Sequence, residues 1–223
     1  MGEERKEAGW LPVMLNVADV RCLAVGAGTV AERRLGDLLD AHAQVTLISP
    51  EATPAIAAWA DAGRLIWHRR EYRSGDLDDC RPSIVLIWTD DPEVNRLVRR
   101  EAEARSVWVG DASDGMSGRL MFPASVKRGR LRLAVSTLGA SPGLAERIRR
   151  ELEANYGTEY ETYVDFLHEM RMRFRREVRD PERRAALNRQ LLAYPIPQMI
   201  RDGAFAAWRA ELLRLWEERG RLP

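Results

Sequence analysis

The sequence predicts an α/β fold: a parallel β-sheet in the first half of the chain, followed by a small β-containing segment and an all-helical C-terminal part. Short apolar runs alternate with helical stretches up to about residue 110, which is typical of a parallel sheet with right-handed crossovers. Two further strands around a basic turn then break the alternation. Beyond Tyr156 no convincing strand pattern remains.

The elements of the first half follow in order. Five short apolar runs have the content and length of strands: 20–25, 44–48, 65–67, 83–88 and 107–109. Helical stretches separate several of these strands: 29–41, 53–62 and 93–105. The third helix begins just after Asp90 and Asp91, with Pro92 in its first turn, so either aspartate is a candidate N-cap.

The second half departs from the alternation of strands and helices. Segments 119–126 and 131–136 flank a basic, glycine-containing turn and predict a β-hairpin. Ser141 and Pro142 have the N-cap and first-turn pattern that opens a helix at 143–155. Apolar residues at three- and four-residue spacing predict helices for the remainder. We therefore expect three domains, at residues 1–112, 113–150 and 151–223.

Composition excludes several classes of protein. The chain has 223 residues, of which 45% are hydrophobic and 31% charged, so it is neither a disordered chain nor a membrane bundle. A formal net charge of +1 disfavours nucleic-acid partners. No apolar run is long enough to cross a membrane, and the charged N-terminus lacks the pattern of a secretory signal. With only two isolated cysteines and three scattered histidines, we expect a cytoplasmic protein and no metal site.

The strongest local motif is a GxGxxA sequence between the first strand and the first helix. Gly26 permits a tight turn, Gly28 lets the backbone approach a pyrophosphate, and Ala31 allows close packing of helix and strand. The backbone N–H groups and the helix dipole at the start of the helix supply an anion site. The motif therefore predicts a Rossmann-like dinucleotide site, against the alternative of a plain tight turn.

The ends of the second and fourth strands complete this prediction. An acidic residue that reads the ribose hydroxyls is expected after the second strand, where the chain has Ser49 and then Glu51. No arginine stands there to hold a 2′-phosphate, so the sequence favours NAD over NADP. Thr89 and Asp90 end the fourth strand, on the rim where such sheets bind ligands.

Taken together, the motifs resemble those of the precorrin-2 dehydrogenase and sirohydrochlorin ferrochelatase family, the N-terminal part of siroheme synthases. The resemblance covers about residues 10–152. It rests on the order and spacing of several segments: LPV, GAGTVAERR, LISPE, TDDPEVN, FPA and AVSTLGASPGLA.

The resemblance implies a homodimer, formed through the central β segment, that oxidises precorrin-2 to sirohydrochlorin and passes a hydride to NAD. It implies cofactor-binding roles for residues at the three strand ends: Gly26, Gly28, Thr29, Val30, Ser49, Glu51, Thr89 and Asp90. On the substrate side it points to four hydroxyl residues: Ser113, Ser136, Thr137 and Ser141. The arginines at 147–150 and 171–184 are candidates for the substrate's eight carboxylates, although most are expected to lie on solvated helix faces.

The acid of the active site is less defined by the sequence. The family has an aspartate at the position of Ser113, so the acid in this chain is either shifted or replaced. We expect Asp114, with Asp111 as the second candidate, to be a general base or a metal-facing carboxylate. The alternative is a carboxylate that only orients the pyrrole N–H groups. Dehydrogenase activity alone is favoured over a bifunctional enzyme that also inserts iron. The alternatives are a redox-responsive NAD-binding regulatory module and a dehydrogenase of another substrate.

Overall fold

Five parallel strands form the sheet that the sequence predicts. A computed structural model describes residues 9–111 and 118–219. Its first five strands are β1 (Arg21–Val25), β2 (Gln44–Ile48), β3 (Ile66–His68), β4 (Ile84–Ile87) and β5 (Trp108–Asp111), in the order β3-β2-β1-β4-β5. Val25 at the end of β1 is in register with Ile48 of β2 and Ile87 of β4. The carboxyl ends of the three central strands therefore meet at one edge of the sheet.

Four helices connect these strands: α1 (Thr29–Asp40), α2 (Pro54–Asp61), α3 (Asp76–Cys80) and α4 (Pro92–Ala104). Residues of β1 alternate between the two sides of the sheet. Cys22 and Ala24 belong to the apolar cluster that includes the buried side chains of α1, whereas Leu23 and Val25 belong to the cluster that includes those of α4. The sheet is thus covered on both faces, as expected for parallel strands.

The second half contains the predicted hairpin and helices. Strands β6 (Ala124–Arg128) and β7 (Leu131–Val135) pair antiparallel. Five helices follow: α5 (Pro142–Asn155), α6 (Glu159–Glu177), α7 (Pro181–Leu192), α8 (Ile196–Arg201) and α9 (Phe205–Arg219). The first hairpin strand begins later than predicted, because Leu120 makes a parallel bridge with Gly110 at the edge of the first sheet.

The chain divides into two compact units, with the boundary between Phe122 and Pro123. Our finer division at residues 112 and 150 stays a prediction. The helices of the second unit enclose a core of their own, in which Met170, Phe174 and Leu191 are fully buried. None of the helices in the described part of the chain is both long enough and apolar enough to cross a membrane.

Candidate functional site

The turn between β1 and α1 explains the first glycine of the motif. Gly26 has a φ of +96°, and a Cβ atom added there would lie 2.5 Å from the carbonyl oxygen of Trp88. Its N–H donates to the carbonyl of Ile48 at 3.0 Å. Ala31, the last residue of the motif, is fully buried. Gly26 is therefore required by the fold itself, both for its backbone conformation and for the close approach of the backbone that follows β4.

The second glycine is not required in this way. Gly28 is the N-cap residue of α1 and has a φ of −78°, which any residue adopts. A Cβ atom added there would have no neighbour within 4 Å. Thr29 and Val30, which begin α1, are exposed. The backbone is thus open at the N-terminus of a 12-residue helix, where N–H groups and the helix dipole favour an anion such as a pyrophosphate.

A pocket of about 510 Å³ lies beside this turn. It brings together six of the eight predicted cofactor residues: Gly26, Gly28, Ser49, Glu51, Thr89 and Asp90. Its wall also includes Glu71, Tyr72 and Trp88, which sequence reasoning did not select. The pocket lies at the carboxyl ends of β1, β2 and β4, where open parallel sheets bind their ligands.

Ser49 organises the loop after β2. It is 7% exposed, and its hydroxyl donates to the carbonyl of Glu51 at 2.6 Å. Its own carbonyl accepts from the indole N–H of Trp67 at 2.9 Å. Glu51, by contrast, is exposed at the pocket. Of the two residues predicted at this position, Glu51 is the one whose side chain is open to a ribose.

The loop after β4 separates the roles of two neighbouring aspartates. Asp91 is the N-cap of α4, and its carboxylate accepts from the N–H groups of Glu93 at 2.8 Å and Val94 at 3.3 Å. Thr89 is held within the same loop, because its hydroxyl accepts from the N–H of Asp91 at 2.9 Å. Asp90 is exposed and lines the pocket. The helix cap is therefore Asp91, which leaves Asp90 as the carboxylate available to a ligand.

Asp111 ends β5 in a buried position. Its side chain is fully buried and forms an ion pair with Arg99 of α4, whose side chain is 25% exposed. This arrangement holds the end of β5 against α4. The other predicted active-site residues of this loop, Ser113 and Asp114, lie outside the described residues.

The three remaining predicted hydroxyl residues shape the turn before α5. Ser141 caps that helix by accepting from the N–H of Leu144 at 3.3 Å. The hydroxyl of Thr137 accepts from the N–H of Ser141 at 3.1 Å and donates to its carbonyl at 3.0 Å. Ser136 accepts from the N–H of Leu138, which has a φ of +50°. Each hydroxyl thus has a partner within its own turn.

Ion pairs engage many of the arginines that were candidates for substrate carboxylates. Arg149 and Arg150 both bind Glu146, and their hydrogen bonds lower the pKa of that carboxyl to about 2. Arg173 binds Glu177. Within the described part of the chain, three exposed arginines of the predicted stretch make no ion pair within 4 Å: Arg171, Arg175 and Arg179.

Comparison with known proteins places this geometry in a family. A family model described as a putative NAD(P)-binding domain matches residues 13–124, and one described as the central part of a sirohaem biosynthesis protein matches residues 128–155. A precorrin-2 dehydrogenase of Priestia megaterium is 36% identical over 160 residues, which are 72% of this chain and 78% of that protein. The chain belongs to the precorrin-2 dehydrogenase and siroheme synthase family.

A solved structure supports the membership. The structure of SirC, a precorrin-2 dehydrogenase, matches with a TM-score of 0.76 and 31% identity, and covers 89% of this chain and 98% of that one. A siroheme synthase of Chromobacterium violaceum is 34% identical over 203 residues, which are 91% of this chain but 43% of that protein. The chain therefore spans less than half of the length of that siroheme synthase.

Family membership confirms the NAD(P) cofactor and the α/β fold that the sequence predicts. Beside the cofactor pocket lies an aromatic contact that the sequence did not indicate. Trp88 packs against Phe122 with ring centroids 6.4 Å apart. Arg34 of α1 lies over the Phe122 ring at 5.0 Å and donates to its carbonyl at 3.2 Å. Arg34 is therefore half-buried beneath Phe122, whereas its neighbour Arg33 is exposed.

Proposed function

We propose that the chain is an NAD-dependent dehydrogenase that oxidises precorrin-2 to sirohydrochlorin. The observation that carries the proposal is the open helix start at Gly28 beside a pocket lined by Glu51 and Asp90, in a chain of this family. The backbone at Gly28 receives the pyrophosphate, and Glu51 accepts hydrogen bonds from the adenosine ribose. Asp90 lies after β4, towards the nicotinamide half of the cofactor in folds of this type.

The reaction removes one hydride and one proton from the tetrapyrrole. Bound NAD supplies the hydride acceptor, and a base of the protein takes the proton. Asp111 is poorly suited to that role, because its fully buried carboxylate already holds Arg99. We therefore keep Asp114 as the base and assign Asp111 to the positioning of β5.

An anaerobic assay tests the proposal. Enzymatically generated precorrin-2 is mixed with NAD, and the formation of NADH is followed together with the sirohydrochlorin spectrum. We expect both products in equal amounts. A chain that binds NAD but forms no NADH from confirmed substrate would instead be a dehydrogenase of another substrate or a regulatory module. Ferrous ion added afterwards tests the expectation that the chain does not accelerate metal insertion.

Two variants test the assignment of the base. Asp114→Asn is expected to lower kcat at least a hundredfold with NAD binding unchanged, because only the proton acceptor is lost. Asp111→Asn serves as the comparison, and we expect its main effect on stability. Equal losses of kcat in the two variants, with both proteins folded, would contradict this division of roles.

The assembly and location of the protein belong to the same proposal. We expect a homodimer formed through the segment at 113–150 and a cytoplasmic location. Light scattering coupled to gel filtration measures the mass directly, and a mass of about 25.4 kDa, that of a single chain, would refute the dimer.

A further inference from the structure

The ionised side chains on the wall of the cofactor pocket are all negatively charged. Four carboxylate residues line it: Glu51, Glu71, Asp90 and Asp91. Among the described residues of its wall, none is lysine, arginine or histidine. All four are exposed, but the carboxylate of Asp91 is engaged as a helix cap. Glu51 and Asp90 follow from the sequence motif, whereas Glu71 comes from the loop after β3 and has no role in it.

The backbone around Glu71 is held in place from its N-terminal side. The guanidinium of Arg70 donates to the Glu71 carbonyl at 3.0 Å. The same guanidinium makes two hydrogen bonds to Asp76, at 2.8 and 2.7 Å, and Asp76 also accepts from the N–H of Arg73 at 2.7 Å. Asp76 is 5% exposed. This buried carboxylate therefore closes the loop from residue 70 to residue 76.

A second buried carboxylate holds the loop from its other side. The Tyr72 hydroxyl donates to Glu101 of α4 at 2.8 Å, and Glu101 also accepts from the hydroxyl of Ser74 and the N–H of Gly75. Burial alone would raise the pKa of Glu101, but these hydrogen bonds, with Arg105 nearby, hold it below its usual value. Glu101 is thus an ionised acceptor at neutral pH, and it fixes the residue next to Glu71.

We propose that Glu71 is a second specificity-determining residue for the cofactor, which excludes NADP by repelling its 2′-phosphate. Tyr72 is the positioning residue, because its bond to Glu101 sets where Glu71 stands. The proposal rests on the proposed function, since it names how the same pocket selects NAD. A loop tied at both ends keeps the carboxylate in place without an ordering cost when cofactor binds.

The neighbouring cations do not cancel this charge at the pocket. Arg70 is paired with Asp76, and Arg69 lies over the Trp67 ring at 4.4 Å and within 3.9 Å of Asp61. Neither arginine lines the pocket. A phosphate with about two negative charges placed roughly 7 Å from a carboxylate in water loses about fivefold to tenfold in affinity. Selectivity of that size is measurable.

The test compares dissociation constants of NAD and NADP by titration calorimetry at low ionic strength, where charges are least screened. We expect Glu71→Gln to lower the ratio of the NADP constant to the NAD constant about fivefold, and Glu71→Lys to lower it further. Glu103→Gln is the matched control, because Glu103 is an exposed carboxylate of α4 outside the pocket. A ratio within twofold of the unchanged protein in both Glu71 variants would overturn the proposal.

Tyr72→Phe tests the positioning role by the same ratio. A purely structural role would weaken both cofactors equally and leave the ratio unchanged, which would refute the role of Tyr72. We expect the ratio to fall, in the same direction as for Glu71→Gln.

Glu51→Gln separates this inference from the proposed function. If Glu51→Gln alters the ratio of the two dissociation constants and the Glu71 variants do not, the assigned cofactor site is correct and the inference about Glu71 fails. If the unchanged protein binds neither cofactor, the proposed function itself fails.

Discussion

The two glycines of the cofactor turn are expected to respond in opposite ways to the same substitution. Gly26→Ala places a methyl group 2.5 Å from the Trp88 carbonyl oxygen at a φ of +96°. Strain at such a φ and the forced movement of the backbone after β4 each cost of order 1–3 kcal/mol. We expect a loss of about 3 kcal/mol in the free energy of unfolding. That is a large fraction of the stability of an ordinary domain.

Gly28→Ala introduces the same methyl group where nothing lies within 4 Å. The φ of −78° is compatible with alanine, so we expect the free energy of unfolding to change by less than about 0.5 kcal/mol. The methyl group would stand where the pyrophosphate must approach the backbone. We therefore expect the NAD dissociation constant to rise at least tenfold, which is about 1.4 kcal/mol.

Urea unfolding and calorimetric titration with NAD measure the two effects separately. Each variant is the control for the other, because the substitution is identical and the two sites are two residues apart. The reasoning would be refuted if Gly28→Ala unfolded as easily as Gly26→Ala. It would also be refuted if Gly28→Ala kept NAD affinity within threefold, because the open space at Gly28 would then have no bearing on the cofactor.

Three further substitutions test the loops around the site. Asp111→Asn leaves Arg99 without its buried carboxylate, so urea unfolding should show a loss of about 2 kcal/mol; an unchanged midpoint would contradict this. Ser49→Ala removes a donor to the Glu51 carbonyl and should cost about 1 kcal/mol, with NAD affinity within threefold. A tenfold loss of NAD affinity in Ser49→Ala, with the stability unchanged, would indicate that Ser49 binds the ribose. The pKa of Glu101 is lowered by folding, so the stability it contributes is present above its ordinary pKa of 4.5 and is lost as the pH falls. Glu101→Gln should flatten the acid side of the stability profile; an equally steep profile would contradict the assignment.

The cofactor turn could be predicted from the sequence because its signature, the spacing of Gly26, Gly28 and Ala31, lies within one short segment. The contact that excludes a side chain at Gly26 comes from Trp88, which is distant in the sequence, and only the structure shows it. The parallel sheet was equally accessible, because alternation of apolar runs and helices leaves few other topologies. The start of the hairpin was missed because the bridge from Leu120 to Gly110 depends on which strand forms the edge of the sheet.

Glu71 and Tyr72 could not be found by the same reasoning. Their loop reaches the pocket only because β3 pairs with β2 in parallel, which brings the end of β3 to the same edge as the ends of β1 and β2. The motif concerns the first two strands and does not include this loop. The order of strands in the sheet was the missing information, and a parallel neighbour of β2 is the signal that would have pointed to the loop after it.

The carboxylates of this domain show why residue type alone does not identify a site. Asp76, Asp91 and Asp111 all lie in or next to loops that follow strands, as Asp90 does, and residue type alone does not distinguish the four. Hydrogen bonding divides them. Asp76 closes a loop, Asp91 caps a helix and Asp111 holds an arginine. A carboxylate that already accepts hydrogen bonds from the protein contributes to stability, so its removal lowers the free energy of unfolding. An exposed carboxylate on the pocket wall, such as Glu71, contributes little to folding. Its removal should therefore change the affinity for a charged ligand and leave the free energy of unfolding nearly unchanged.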